Sequence, residues 1–295
     1  MDQSRTKGES GSGWLVGLLG WPVSHSYSAQ MHNAAAAHLQ LDLVYVLLPV
    51  RREELAEAIS GLVAQGFSGA NITVPHKEAV VDMVDNLDPA AAAIGAVNTI
   101  IIHRNPDNSD QKAEIRGFNT DWSGFILDLQ DQEWDPEGKS CLVLGAGGSA
   151  RAVVYGLVKA RARVTVISRR PEQAEELVQK IGGGIENAQL RSGDLRKLDE
   201  ICRQVKPELI VNATPAGMAP DINGSPWPDG VAFPKKAFVY DLVYRPSETR
   251  LMKEARMAGC QVSNGIGMLV HQGAQAFELW TGIMPDIQIM AAALV

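Results

Sequence analysis

Cysteines, aromatic residues and long apolar runs are scarce in this chain. Its 295 residues include 3 cysteines, 6 histidines and 6 % aromatic residues. The apolar runs, such as Leu43–Leu48, are all far shorter than the ~20 residues that a membrane span requires. The histidines lack metal-ligand spacing, and the cysteines are odd in number and far apart along the chain. These shortages argue against a membrane span, a zinc site and a disulfide framework, and they favour buried thiols in a reducing cytoplasm.

Charge of one sign is not concentrated anywhere in the sequence. Lys and Arg number 27 and Asp and Glu number 34, giving a net charge of −7 and a pI near 5.4. No block of five like charges occurs, which disfavours nucleic-acid and anionic-membrane binding. Residues 1–13 are polar and rich in Ser and Gly, without an apolar segment of signal-peptide length. We therefore expect a flexible leader followed by a cytoplasmic globular protein.

Short β-branched runs alternate with helix-length amphipathic runs, which predicts a mainly parallel α/β architecture. A length of 295 residues suits two domains. Strands are predicted at Trp14–Leu19, Leu43–Leu48, Phe67–Ile72, Val97–His103, Glu114–Phe118, Cys141–Leu144, Val164–Ile167, Leu209–Val211 and Phe238–Tyr240. Helices are predicted at Arg52–Val63, Ala150–Val158, Glu172–Ile181, Gly265–Thr281 and Asp286–Leu294, and a long loop at Ala219–Pro234.

A glycine-rich turn follows the predicted strand Cys141–Leu144. Its residues are Gly145, Ala146, Gly147, Gly148, Ser149 and Ala150. Such a strand, turn and helix suits a dinucleotide pyrophosphate, although an ordinary tight turn has the same composition. About 20 residues after this turn, where an acidic residue holds the ribose of NAD, the chain has Ser168, Arg169 and Arg170. These side chains favour the 2′-phosphate of NADP, the alternative being two solvated arginines.

Three polar clusters could carry the chemistry of a ketone reduction, which needs a hydride donor and an acid. Lys77 is predicted to project from a helix start after a strand, with Thr73 nearby, although a surface lysine is the simpler interpretation. Asp121 could orient a substrate or only cap a helix. Ser26 and Ser28 could hold a carboxylate or only support a turn.

Together these clusters resemble the shikimate dehydrogenase family from Trp14 to the C-terminus. The matching motifs are Gly20-x-Pro22, His25-Ser26-x-Ser28, His32-Asn33, Asn71-x-Thr73-x-Pro75-x-Lys77, Gly95-Ala96-Val97-Asn98-Thr99, Gly117-x-Asn119-Thr120-Asp121, the glycine turn, Asn212-Ala213-Thr214-Pro215-x-Gly217-Met218, Asp241-x-x-Tyr244-x-Pro246-x-x-Thr249 and Gly267-Met268-Leu269-x-x-Gln272-Gly273. Two positions depart from the family pattern, Ala29 in place of a proline and Ser168 in place of an asparagine.

The resemblance implies reversible NADP-dependent reduction of 3-dehydroshikimate to shikimate, on the pathway to chorismate and the aromatic amino acids. It implies Lys77 as proton donor and Asp121 as its catalytic partner. It implies substrate contacts from Ser26, Ser28, Thr73, Asn98, Tyr244 and Gln272. The implied cofactor contacts are Gly145 to Ala150, Ser168, Arg169, Arg170, Thr214, Gly217, Met218 and Gly265.

The family's architecture further implies a substrate-binding catalytic domain at 14–119 plus 264–295 and a Rossmann-like NADP-binding domain at 120–263. The C-terminal helices would return to the first domain, and the site would lie between the domains. We expect a small-molecule substrate and a monomer or homodimer. Two other functions stay open at this point: a quinate/shikimate dehydrogenase of broader specificity, and a ligand-sensing regulator without catalysis.

Overall fold

The computed structural model describes residues 13–105 and 112–294, which form two β-sheets with helices packed on them. Strands β1 to β6 are Trp14–Gly20, Leu43–Pro49, Gly69–Ile72, Asn86–Leu87, Thr99–His103 and Glu114–Phe118. Strands β7 to β12 are Ser140–Leu144, Arg163–Ser168, Leu190–Asp194, Leu209–Asn212, Phe238–Asp241 and Gln261–Asn264. Helices α1 to α10 are Ser28–His38, Leu55–Ala64, Pro89–Ile94, Asp121–Asp131, Gly148–Lys159, Pro171–Gly182, Leu198–Val205, Arg250–Met257, Ile266–Thr281 and Ile287–Ala292. Short 3₁₀ helices lie at Arg52–Glu54, Ala79–Met83 and Leu195–Lys197.

The first sheet has the strand order β2-β1-β3-β5-β6-β4 within the described residues. Strand β5 runs antiparallel to both of its neighbours, and the remaining pairs are parallel. Helix α2, which lies within the predicted helix Arg52–Val63, covers one face through Leu55, Ile59 and Leu62. The antiparallel strand is the one departure from parallel pairing in this sheet.

The second sheet is parallel throughout, in the order β12-β11-β10-β7-β8-β9. Every residue of β7 and β10 is buried, because helices cover both faces of the sheet. The direction of winding changes between β7 and β10. In open α/β sheets ligands bind at the carboxyl ends of the strands at such a switch point. The glycine turn begins there, directly after β7.

Two helices connect the sheets. Helix α4 leads from the first sheet into the second, and α9 returns to the first. Trp280 of α9 donates a hydrogen bond from Nε1 to the Ile100 carbonyl oxygen of β5 over 3.0 Å. Gly124 of α4 lies so close to α9 that a Cβ there would be 2.7 Å from the Gln272 backbone nitrogen. This close approach places the start of α4 beside the middle of α9.

The structure confirms the two-domain α/β fold class and each of the nine predicted strands within two residues at its ends. The loop Ala219–Pro234 contains no helix or strand. Strands β4, β9 and β12 and helices α1, α3, α4, α7 and α8 were not predicted. None of the helices in the two described ranges is both long and apolar enough to cross a membrane. The predicted leader 1–13 lies outside the described residues except for Gly13.

Two local predictions need correction. Lys77 does not project from a helix start; it lies in a turn, and the 3₁₀ helix Ala79–Met83 follows. The strand before it ends at Ile72, three residues ahead of Pro75, because the chain turns after pairing with β1. Asp121 is not a helix cap, since Thr120 is the N-cap residue of α4 and Asp121 is its first helical residue.

Candidate active site

Lys77 and Asp121 form a shielded ion pair between the two sheets. The Lys77 Nζ lies 2.6 Å from Asp121 Oδ2, and the side chains are 11 % and 6 % exposed. Lys77 Nζ also donates to Ser149 Oγ at the start of α5, 3.2 Å away. One ammonium group therefore contacts a carboxylate from α4 and a hydroxyl from the glycine turn. Its position is set jointly by the two halves of the molecule.

Asn98 connects Asp121 to Gln272. Its Nδ2 donates to Asp121 Oδ1 over 2.9 Å and to Gln272 Oε1 over 3.2 Å. Its Oδ1 accepts from the backbone nitrogen of Thr120 over 2.7 Å. Because Asn98 is buried and holds one oxygen of the Asp121 carboxylate, the other oxygen is left to face Lys77. The result is a network of acid, base and amide groups that suits a polyhydroxylated ligand.

Asn71 supports this network from β3, although it was not predicted as a site residue. Its Oδ1 accepts from the Tyr45 hydroxyl over 2.8 Å, and its Nδ2 donates to Thr99 Oγ1 over 3.0 Å. Thr73 follows two residues later and is half-buried; its backbone nitrogen donates to the Leu19 carbonyl oxygen over 2.8 Å. Asn71 therefore braces the segment that carries Asn98, and the same strand leads to Thr73 and Lys77.

Ser26 and Ser28 form a second polar group after β1. Their hydroxyl oxygens are 3.0 Å apart, and Ser26 Oγ also accepts from the Ser28 backbone nitrogen over 3.2 Å. The bond to the Ser28 backbone shows that Ser26 supports the turn. Ser28 is the first residue of α1 and does not cap it. The Tyr244 hydroxyl reaches Ser26 from the second sheet; burial raises the pKa of Tyr244, and the Ser26 hydrogen bond opposes that rise.

The glycine turn presents an open helix terminus. Gly145 has φ of +114°, and a Cβ there would lie 2.9 Å from the Ala213 carbonyl oxygen, so glycine is required. Nothing lies within 4 Å of a Cβ built on Gly147, the N-cap residue of α5. Ala146 and Ala150 are buried against the core. The free backbone N–H groups at this terminus fit a pyrophosphate group.

The end of β8 offers two exposed guanidinium groups, Arg169 and Arg170. Ser168 Oγ accepts from the Arg170 backbone nitrogen over 3.2 Å, which shapes the turn between β8 and α6. Strand β8 pairs with β7, so this turn lies at the same sheet edge as the glycine turn. Cationic side chains that are free to move in solvent at this edge fit a phosphate on an adenosine ribose.

The remaining predicted cofactor residues follow β10 and precede α9. Thr214 donates its hydroxyl proton to Asn212 Oδ1 over 2.7 Å. Gly217 has φ of +89°, and the exposed Met218 comes next. Gly265 is the N-cap residue of α9 and lies against the backbone of Leu242. These residues follow the carboxyl ends of β10 and β12, and Thr214 lies against the glycine turn: a Cβ on Gly145 would be 3.1 Å from its methyl carbon.

Sequence reasoning missed three side chains at this cleft: Tyr45, Arg151 and Arg245. Arg151 follows the glycine turn directly, and its position one residue after Ala150 was a usable signal. Arg245 stands between the two motif residues Tyr244 and Pro246. Tyr45 reaches the site only through tertiary packing of β2, so its sequence context carries no signal.

Comparison with known proteins identifies the family to which these features belong. The family model for the shikimate dehydrogenase substrate-binding domain matches residues 18–100. The model for the shikimate 5′-dehydrogenase C-terminal domain matches residues 265–295. Between them, residues 141–224 match the NADP-binding domain model of saccharopine dehydrogenase.

Relatives that match nearly the whole chain point to the same family. The shikimate dehydrogenase (NADP(+)) of Moorella thermoacetica is 44 % identical over 95 % of this chain and 92 % of its own length. A crystal structure of shikimate 5-dehydrogenase from Thermus thermophilus, in complex with NADP(H) and shikimate, has a TM-score of 0.81 at 37 % identity. The match covers 95 % of this chain and 98 % of the Thermus thermophilus chain. A quinate dehydrogenase from Corynebacterium glutamicum in complex with NAD has a TM-score of 0.82 at 30 % identity, covering 96 % of this chain and 98 % of its own. The chain belongs to the shikimate dehydrogenase family.

Proposed function

We propose that this protein is an NADP-dependent shikimate dehydrogenase, which reversibly reduces 3-dehydroshikimate to shikimate in the pathway to aromatic amino acids. The observation that carries the proposal is the Lys77–Asp121 pair. It is shielded from solvent, connected through Asn98 to Gln272, and in contact with the glycine turn through Ser149. A proton donor placed between a polar cradle and a dinucleotide turn is what a ketone reduction requires.

Different polar groups bind different parts of the substrate. Ser26 and Ser28 donate hydroxyl protons to the substrate carboxylate, and Tyr244 closes that pocket from the second sheet. Thr73, Asn98, Asp121 and Gln272 bind the ring hydroxyls, with the shared Asn98 bonds setting their relative positions. Because Ser26, Ser28, Asn98, Asp121 and Gln272 are hydrogen-bonded to their neighbours before substrate arrives, little ordering of these side chains remains to be done on binding.

Lys77 supplies the proton of the reduction. NADPH, when bound, provides the hydride that reaches the carbonyl carbon. As the carbonyl oxygen gains negative charge, Lys77 Nζ donates its proton to that oxygen, and in the oxidation direction the neutral amine accepts it back. Asp121, whose Oδ2 lies 2.6 Å from Lys77 Nζ, orients the ammonium group.

The nucleotide residues are assigned by their place at the sheet edge. Gly145, Ala146, Gly147, Gly148, Ser149 and Ala150 surround the pyrophosphate. Ser168, Arg169 and Arg170 hold the adenosine end, the arginines at its 2′-phosphate. Thr214, Gly217, Met218 and Gly265 line the nicotinamide side. We also assign 14–119 with 264–295 to the substrate-binding domain and 120–263 to the NADP-binding domain, in a cytoplasmic monomer or homodimer.

The test is a spectrophotometric assay of nicotinamide reduction by purified protein with shikimate or quinate as substrate, each with NADP or NAD. We expect fast reduction with shikimate and NADP. Preferred oxidation of quinate would instead assign the broader specificity of a quinate/shikimate dehydrogenase. A folded protein that binds NADP and is inactive in all four mixtures would contradict the enzymatic function and favour a ligand-sensing regulator.

A further inference from the structure

Arg245 reaches across the cleft to the segment that carries Ser26 and Ser28. The place beside these two hydroxyls, where we propose that the substrate carboxylate binds, is called the serine pocket. Arg245 follows β11 in the second half of the molecule, yet its Nη1 lies 3.4 Å from the carbonyl oxygen of His25, which follows β1 in the first half. Its guanidinium carbon lies 5.5 Å from the centre of the Tyr27 ring. Arg245 therefore contacts the residue before Ser26 and the residue after it.

The aromatic neighbours of Arg245 lie beside the two serines. Tyr244, adjacent in the chain, hydrogen-bonds Ser26, and its ring lies 5.7 Å from that of Tyr27. The two tyrosine rings and the guanidinium thus form one side of the serine pocket. A cation over an aromatic face gains a modest attraction that restricts where the group can move. The side chain is exposed, yet it is held at this place by two contacts.

No carboxylate in the described part of the chain neutralises Arg245. Within residues 13–105 and 112–294, no Asp or Glu carboxylate pairs with it, whereas Arg151, Arg161, Arg196, Arg203, Arg250 and Arg256 all have such partners. Ser26 and Ser28 are neutral hydrogen-bond donors. A carboxylate bound by them would have this guanidinium as its nearby counter-charge, and arginine matches carboxylates well.

We propose that Arg245 is a substrate-recognition residue, whose positive charge draws the substrate carboxylate to Ser26 and Ser28. The inference rests on the proposed function, because it takes the two serines as the carboxylate site. The effect acts on binding rather than on hydride or proton transfer, since Arg245 lies at the mouth of the pocket and Lys77 holds the proton. It also favours carboxylates over neutral polyols, which gain nothing from the charge.

The test is a charge series at one position: Arg245→Lys, Arg245→Gln and Arg245→Glu. At low ionic strength we expect the KM for shikimate to rise roughly three- to five-fold in the Gln variant, the range of a solvent-exposed charge pair. We expect a larger rise for Glu, a value near wild type for Lys, and kcat within about two-fold throughout. The difference between Gln and Glu isolates charge, because the two side chains have nearly the same shape.

Salt provides a second readout of the same charge. Raising ionic strength screens exposed charges, so the KM of the wild type should increase with salt and that of the Glu variant should decrease. Arg203→Gln is the matched control, because Arg203 is exposed in the same half of the molecule and pairs only within its own helix. Its KM and salt dependence should equal those of the wild type.

Two sets of results would overturn the role of Arg245 and leave the proposed function intact. One is equal KM values in the Gln and Glu variants; the other is a loss of kcat with unchanged KM. Either would reduce Arg245 to a contact between the two halves. A wild-type protein that neither oxidises shikimate nor binds it in calorimetric titration with NADP would instead contradict the proposed function.

Discussion

Arg151 and Glu78 form an ion pair that joins the helix of the glycine turn to the residue beside Lys77. The Arg151 Nε lies 3.3 Å from Glu78 Oε2, and its Nη2 lies 2.9 Å from Glu176 Oε1. The arginine side chain is only 6 % exposed, whereas both carboxylates reach solvent. One partner lies across the cleft and the other on α6 of the same half. The pair with Glu78 therefore couples the glycine turn to the loop that carries Lys77.

This coupling predicts a difference between two glutamate variants. Glu78→Gln removes the bond across the cleft, so we expect kcat/KM for shikimate oxidation to fall about two- to five-fold, the range of a partly exposed pair. Glu176→Gln is the control, because it removes the partner on the same side and leaves the cleft contact intact. It should keep wild-type activity. Steady-state kinetics of both variants test this difference, and thermal unfolding checks that both are folded. Equal activities of the two variants would refute the coupling.

Local chemistry made the nucleotide side predictable. The glycine turn, the strand before it and the cations at the end of β8 lie close together in the chain, with the turn and the cations between Gly145 and Arg170. The roles proposed for them rest on backbone geometry and charge. Helix α1 escaped prediction because its alanine run, 34–37, has no polar face to set a period. Strand β4 is two residues long, too short for a pattern.

The substrate side was predictable only through the family resemblance. Asn98 and Gln272 bond each other across 174 positions, and Lys77 and Asp121 across 44. Periodicity in the sequence places each of these residues on an element, yet it does not say which elements meet. Arg245 and Arg151 illustrate the same limit, because each contacts a residue in the other half of the molecule, His25 and Glu78 respectively.

Replacement of Lys77 tests the proton donor. Lys77→Met keeps the apolar stem and removes the ammonium group, so we expect turnover to fall ~10²-fold or more, the contribution of general acid–base catalysis. Binding of NADP, measured by fluorescence titration, should change little. Lys159→Met at the exposed end of α5 is the matched control and should retain full turnover. Near-normal turnover of the Lys77 variant would remove its assigned role.

Arg169 tests the cofactor preference. In Arg169→Asp the introduced carboxylate repels a 2′-phosphate and can accept a hydrogen bond from a ribose hydroxyl. The ratio of kcat/KM for NADP to that for NAD should therefore drop by about tenfold or more, as expected when a charged hydrogen bond is replaced by repulsion. Arg191→Asp is the control. Arg191 is exposed on the neighbouring strand β9, but it lies opposite Thr165 in the strand register, away from the end of β8 that carries Arg169. An unchanged ratio would place the adenosine elsewhere.

The burial of His32 predicts that the free energy of unfolding decreases in mild acid. Its ring is completely buried and stacks on Tyr45 with a centroid separation of 4.4 Å, and burial lowers the pKa of His32 from 6.5 to about 3. The folded protein holds this histidine neutral, while the unfolded chain takes up a proton below pH 6.5. Stability is therefore fully present above that pH and decreases as pH falls toward the folded value. At pH 5 the loss amounts to about 2 kcal/mol.

The variant His32→Phe keeps an aromatic ring in the stack and removes the titration. Its free energy of unfolding, from denaturant titrations between about pH 7 and pH 5, should lose that ~2 kcal/mol of pH dependence even if its absolute stability differs. His38→Gln serves as the control, because His38 ends the same helix in solvent and should leave the wild-type slope unchanged. The same slope in the His32 variant as in the wild type would mean that another group governs acid unfolding.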